Sequence, residues 1–182
     1  MEAVEAVTAI AQSRKPKIVG PKDGRAGNLG AVGVRFMIDG AETGETFSLV
    51  EHPMPPRQLA APLHIHTRED EYSYVLEGKM GALLGDEVVY AEPGDLVFKP
   101  RDQWHTFWNA GDSECRILEI ISPAGFEKFF EALVEMNEAG DGPPDPEKLV
   151  ELAAGYGHYF DLEGTMRVAA EHGLSFPMLP EG

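Results

Sequence analysis

Between Ala31 and Ser122 the chain breaks into nine short segments, each alternating apolar and polar residues with a period of two and each bounded by glycine, proline or aspartate. The segments are Val32–Ile38, Glu45–Glu51, Gln58–His66, Glu71–Glu77, Lys79–Leu84, Glu87–Ala91, Asp95–Lys99, His105–Asn109 and Glu114–Ile121. Alternate side chains of a strand point to opposite faces, so each segment has one face suited to a core. No helical interval separates them. The run therefore predicts an all-β sandwich or barrel and argues against a parallel α/β sheet. Glu77-Gly78-Lys79 and Gly85-Asp86 read as tight hairpin turns, because glycine alone is comfortable at positive φ.

The flanks carry different patterns. Residues 1–12 form a short amphipathic helical pattern, and Ser13–Gly30 is rich in Lys, Pro, Gly and Asp, an irregular lead-in. Thirty residues ahead of the barrel are too few for a helix-turn-helix module. After Ser122 the period becomes helical, with Phe126, Phe129, Phe130, Leu133 and Met136 on one face. Gly140–Pro144 breaks that helix, and Asp145 with Pro146 caps and opens a second one reaching about Ala154. The organisation expected is a lead-in over 1–30, a barrel over 31–122 and a C-terminal helical extension over 123–182. Within the extension, Asp145, Glu147, Ala153, Ala154, Gly157 and Phe160 recur sixteen residues on as Asp161, Glu163, Ala169, Ala170, Gly173 and Phe176. The echo suggests two similar helix-turn units, too few for a solenoid.

Composition narrows the partners. At 182 residues the chain holds one domain with a real core, and 15 basic against 31 acidic residues give a net charge of −16. Such a chain repels phosphate backbones and anionic lipid, so neither nucleic acid nor membrane is an expected partner. The single Cys115 has no intrachain partner and lies in an alternating strand pattern, where a small buried side chain is expected. The N-terminal sequence has acid where a signal peptide needs base, which leads us to expect a cytoplasmic protein. A small barrel must protect its edge strands, and the apolar Val32–Ile38 is the candidate for doing so in a homodimer.

His64 and His66 are two apart in a strand, so both imidazoles project from one face toward one point. Thr67–Asp70 reads as a polar turn, and Glu71 opens the following strand, where a carboxylate can complete that face. Three acids, Glu69, Asp70 and Glu71, compete for the position. The spacing His64-x-His66-x4-Glu71-x6-Gly78 closely resembles the first cupin motif. Pro93-Gly94-Asp95 and Pro100-Arg101-Asp102-Gln103-Trp104-His105-x3-Asn109 resemble the second. Gln58 and Asp102 depart from the glycines usual at their places. The resemblance implies a double-stranded β-helix, the cupin jelly-roll barrel, with His64, His66, Glu71 and His105 as ligands of one divalent metal ion.

Four unpaired polar side chains inside a barrel would each cost roughly 2 to 7 kcal/mol, a sum that rivals the about 5 to 15 kcal/mol stability of a domain. Coordination removes that conflict. Three imidazoles and a carboxylate suit Fe, Mn, Co, Ni, Cu or Zn and leave one or two open positions.

Beyond the ligands, His64-Ile-His66-Thr-Arg-Glu-Asp-Glu71, Tyr74-Val-Leu-Glu-Gly78 and Pro123-Ala-Gly-Phe-Glu-Lys-Phe-Phe130 resemble the quercetin 2,3-dioxygenase-like single-domain cupins. The resemblance implies an oxygen-using enzyme acting on a small aromatic or enolic substrate, with Glu71 both ligand and catalytic base. A non-catalytic metal-containing binder or sensor and a metal-dependent isomerase or cyclase stay open as alternatives. His52, His158 and His172 fall away from the motif spacing, where solvated or capping positions are expected. Phe36, Phe47, Phe98, Trp104, Phe107 and Trp108 are expected to fill core, some lining a ligand pocket.

Overall fold

The computed structural model describes residues 16–139 and 145–177. The helical pattern at 1–12 and the Gly140–Pro144 break lie outside them. Eleven strands run in chain order: β1 Arg25–Asn28, β2 Gly33–Ile38, β3 Ser48–Met54, β4 Leu63–His66, β5 Asp70–Glu77, β6 Met80–Leu84, β7 Glu87–Ala91, β8 Leu96–Lys99, β9 His105–Asn109, β10 Cys115–Ser122 and β11 His158–Asp161. Four helices accompany them: α1 Gly40–Thr43, α2 Glu127–Ala139, α3 Pro146–Gly155 and α4 Leu162–His172. A six-stranded sheet, β1-β2-β3-β10-β5-β8, faces a five-stranded sheet, β11-β4-β9-β6-β7. Every named pairing is antiparallel, and the two sheets form the expected jelly roll.

Turn and cap chemistry accounts for several boundaries. Gly78 has φ 77°, and a Cβ there would stand 2.6 Å from the Glu114 carbonyl oxygen, so the β5–β6 turn admits no side chain. Asp102, which departs from the glycine of the second motif, takes φ 62°, the left-handed conformation that glycine would adopt, while its N–H donates to the His66 carbonyl. The third strand starts at Ser48 rather than Glu45 because Asp39 and Glu42 form a capping box that winds one helical turn at 40–43. The fourth is shorter than the pattern suggests. Pro62 has no N–H for a ladder, and residues 58–60 bond singly instead, Leu59 N–H to Ser175 and Ala60 N–H to Phe107.

The lead-in contributes β1, paired with β2 from Arg25↔Phe36 to Asn28↔Gly33. This pairing puts β2 between β1 and β3, so Val32–Ile38 is an inner strand and offers no edge to a second copy. The extension is likewise not purely helical. Asp145 and Asp161 cap α3 and α4, accepting from the N–H groups of Glu147 and Gly164. Each helix ends near a glycine at positive φ, Gly157 and Gly173, after which the chain extends onto the barrel. β11 then pairs with β4, and Ser175 bridges Gln58. The sixteen-residue echo is thus a repeated device: helix, left-handed glycine, short extended segment.

One end of the barrel is filled by Met54, Val75, Met80, Val97, Cys115 and Ile117. Burial pushes the Cys115 thiol up to about 11, as befits an inert core residue. At the other end Phe36, Val50 and Ile121 meet Phe126, Phe129 and Leu133 around α2, with Leu149 and Ala153 of α3 behind. Of the aromatics expected in core, Phe36, Phe107 and Trp108 are buried, Phe47 is partly buried, and Phe98 and Trp104 are exposed.

Candidate metal centre

His64 and His66 on β4, His105 on β9 and Glu71 on β5 are all buried, and one ligand atom from each lies within 4.8 Å of the others. The histidines come from the five-stranded sheet, where His64 stands directly opposite His105, and the carboxylate comes from the facing sheet. His64 Nδ1 donates to the Pro62 carbonyl at 2.6 Å and His105 Nδ1 to that of Gln103 at 3.0 Å. A carbonyl only accepts, so each Nδ1 carries the proton and each Nε2 presents a lone pair. His66 Nδ1 faces Glu69 at 3.4 Å. The His64 and His105 rings are thereby oriented from behind, as metal-binding imidazoles are, while the Glu69 carboxylate faces His66 without a hydrogen bond.

Glu71 lies 3.6 Å from His66 Nε2 and 3.4 Å from His105 Nε2, and neither nitrogen has a hydrogen-bond partner among the described residues. These gaps are long for hydrogen bonds, but they are the spacing of donors that share one ion at about 2.0 to 2.2 Å. Charge points the same way. Glu71 and Glu119 are buried against the Lys99 ammonium and Glu69 is buried behind His66, so that among these described residues carboxyls outnumber the cation by two, an imbalance that a divalent cation would offset. The residues therefore fit the metal ion that their motif implies.

The acids of the Glu69–Glu71 cluster divide three ways. Glu71 enters the site, Glu69 backs His66, and Asp70 turns outward to accept from the backbone and guanidinium of Arg101. Lys99, directly opposite Glu71 on β8, donates to Glu71 at 2.9 Å and to Glu119 at 3.0 Å, and Ser73 donates to Glu119 at 2.7 Å. Burial alone would raise the Glu71 carboxyl, but Lys99, His66 and His105 hold it well below the usual carboxylate range. Burial pushes Glu119 up to about 7, against the pull of Lys99. Burial also lowers His64, His105 and His158, keeping these rings neutral.

The site opens on a cavity of about 140 Å3 between the barrel and the extension. Phe126, Phe129, Phe130, Leu133, Phe160 and Phe176 wall it, while His64, His66, Glu71 and Glu119 supply polar atoms at the barrel side. Phe160 and Phe176 are the echo pair of the extension, both delivered to the same chamber.

Three residues of this region were not singled out by spacing. Lys99 and Glu119 occupy inward positions of strands whose other inward residues, Val97, Cys115, Ile117 and Ile121, are apolar, and that parity was a readable signal. His158 was expected to be solvated. It is instead buried beside His64 and His66, and no local pattern marks it. His52 is buried too, its Nδ1 bonded to the Gly33 carbonyl, and His172 stacks on Trp108.

A jelly-roll barrel with a buried three-histidine, one-carboxylate cluster at one end defines a class of metal-site barrel proteins. Residues 50–121 match the model of the Cupin domain family, Cupin_2, and the chain belongs to the cupin superfamily. It is 27% identical over 89 residues to the tetracenomycin polyketide synthase protein TcmJ of Streptomyces glaucescens, covering 49% of this chain and 60% of TcmJ. It is 33% identical over 60 residues to the polyketide synthase CurC of Streptomyces cyaneus, covering 33% of this chain and 39% of CurC. The chain thus spans less than two thirds of either curated relative. Among solved structures it resembles the polyketide cyclase RemF of Streptomyces resistomycificus, with a TM-score of 0.52 and 30% identity over 59% of this chain and 80% of RemF.

Proposed function

We propose that the protein is a metal-dependent cupin that closes or rearranges a ring on an aromatic polyketide-like substrate. The observation that carries this reading is the chamber itself, an aromatic-walled space ending on the buried His64, His66, Glu71 and His105. Its volume of about 140 Å3 is close to that of an apolar cavity that takes up benzene, about 150 Å3. One ring is seated while the polar end engages its oxygens. The likeness to RemF, TcmJ and CurC supports the choice of substrate class.

A metal ion held by the four residues would polarise a carbonyl or enol oxygen of the substrate. The remaining chemistry falls to the chain. Ring closure removes a proton from a carbon between two carbonyls, joins that carbon to a ketone carbon of the same molecule and then expels water. Glu71, beside Lys99, is a good ligand and a weak base. Glu119 lines the chamber, its Oε1 has no hydrogen-bond partner among the described residues, and burial pushes its carboxyl up to about 7, which suits it to take the proton. The phenyl walls exclude bulk water from the reacting carbons.

The second reading, the dioxygenase, is favoured by the quercetinase-like segments and by the same ligand set with open positions. The two are separated by one assay. Metal-loaded protein is given a poly-β-ketone, flavonols, catechols and β-diketones while absorbance and dissolved oxygen are followed together. Ring formation without oxygen uptake, lost about a hundredfold or more in Glu119→Gln with metal retained, supports the cyclase. Oxygen consumed in step with product supports the dioxygenase. Binding without turnover of any compound removes both and leaves a binder.

A further inference from the structure

β11 lies beside β4 in register, His158 opposite His66 and Phe160 opposite His64. Directly opposed residues of an antiparallel pair point to the same face, so the extension adds a fourth imidazole to the interior side of the histidine strand. The placement is enforced locally. Gly157, at φ 73°, lets the chain turn out of α3, and a Cβ there would stand 2.4 Å from Thr67 Oγ1. Thr67 in turn bonds the Gly157 carbonyl through both its N–H and its hydroxyl.

The His158 ring stacks on His66 with centroids 4.6 Å apart and planes 4° from parallel, and meets His64 edge-on at the same centroid distance. Phe126, Phe129 and Phe160 pack edge-on around it. It is 4% exposed, and neither of its nitrogens has a hydrogen-bond partner among the described residues. Leaving such a group unpaired costs free energy that a purely structural residue, phenylalanine for instance, would avoid. His158 also lines the chamber and stands outside the set of four whose ligand atoms converge within 4.8 Å. A partner on the chamber side satisfies both facts.

We infer that His158 contacts the substrate, hydrogen-bonding a hydroxyl or carbonyl oxygen of a ring seated between the phenylalanines and the metal centre. The inference rests on the aromatic-substrate reading above and names the residue, from outside the barrel motifs, that recognises the oxygen. A neutral imidazole offers one donor and one acceptor, so it accepts from a phenol or enol or donates to a ketone. His158 is then a specificity-determining residue, and the extension is part of the substrate site.

The test uses metal-loaded full-length protein and two single-ring probes of similar size, 2-hydroxyacetophenone and isopropylbenzene, with wild type, His158→Phe and His158→Gln. The expected result is unchanged metal content in both variants and unchanged isopropylbenzene affinity in His158→Phe. Affinity for 2-hydroxyacetophenone should fall about two- to tenfold in His158→Phe and recover in part in His158→Gln, which keeps a donor and an acceptor. Loss of metal in His158→Phe makes the residue a ligand and overturns the inference. Equal binding of both probes by wild type and His158→Phe, or an equal loss of both, overturns it in favour of a bystander or a packing role. If wild type binds neither probe, the aromatic-substrate reading falls first and takes this role with it.

Discussion

β4 has a neighbour on each side, and the two neighbours bring an imidazole to the same place by different means. On one side β9 sets His105 opposite His64, within a run whose spacing marks it as a ligand. On the other, β11 sets His158 opposite His66, more than ninety residues away in the chain and with no spacing to mark it. His105 has its Nδ1 tied to a backbone carbonyl and its Nε2 aimed at Glu71, whereas neither nitrogen of His158 has a partner among the described residues. An imidazole locked from behind is ready to hold a metal ion, and one left open on both sides is ready to meet a ligand that comes and goes. Burial and residue type are the same in both; the His105 ring is fixed by a hydrogen bond to the Gln103 carbonyl, while His158 is held by the rings packed around it.

The largest expected effect breaks the symmetry of that pair. Wild-type protein reconstituted with Fe, Mn, Co, Ni, Cu or Zn should carry close to one ion per chain, and His105→Ala or His64→Ala should carry almost none by elemental analysis. His158→Phe should load as wild type does. Next in size is the support behind His66. Glu69→Gln keeps the shape and removes the charge facing Nδ1, so metal affinity by chelator competition should drop about 10- to 100-fold. An unchanged affinity would mean that the Glu69 contact orients nothing.

The third expectation concerns acid. In the metal-free fold, burial holds His52 down to about 4 and keeps His64, His105 and His158 below the usual imidazole value. The unfolded chain binds protons at these residues near pH 6.5 while the fold does not. Their stabilisation is therefore full above pH 6.5 and is lost progressively below it, at up to about 1.4 kcal/mol per pH unit for a ring that stays neutral in the fold, as His52 does down to about pH 4. Glu119 runs the opposite way: its raised carboxyl favours the fold most below its ordinary value of 4.5, a contribution lost as pH rises through about 7. Urea unfolding of the metal-free protein at pH 7 and pH 5 should show the histidine loss, with a smaller slope in His158→Phe.

The smallest effect sharpens a second contrast, between two sheet edges. β11 covers the flank of β4, while β8 lies at the edge of its sheet beside β5 with Leu96 and Phe98 exposed and facing Tyr74 and Tyr72 in register. This strip, rather than Val32–Ile38, is where we expect a second copy to dock, since an uncovered apolar edge strand invites pairing. Phe98→Glu should shift light scattering from dimer to monomer and leave metal content alone. A wild-type monomer at micromolar concentration would remove the expectation.

The residues read in order determined the barrel and the four-residue cluster, because strand parity and turn chemistry are local and the cupin spacing lies within 64–109. They also held the parity signal of Lys99 and Glu119, since a charge at an inward position of an apolar strand is a local fact. They did not show where Glu69 and Asp70 turn once Glu71 completes the cluster, what the echo in the extension does, or where His158 lies. Those answers depend on contacts between distant segments. Arg101 draws Asp70 outward, the facing sheet receives Glu71, and the pairing of β11 with β4 carries His158 and Phe160 into the chamber. Periodicity reports which way a side chain points from its own backbone, and only the tertiary structure decides what stands on that side.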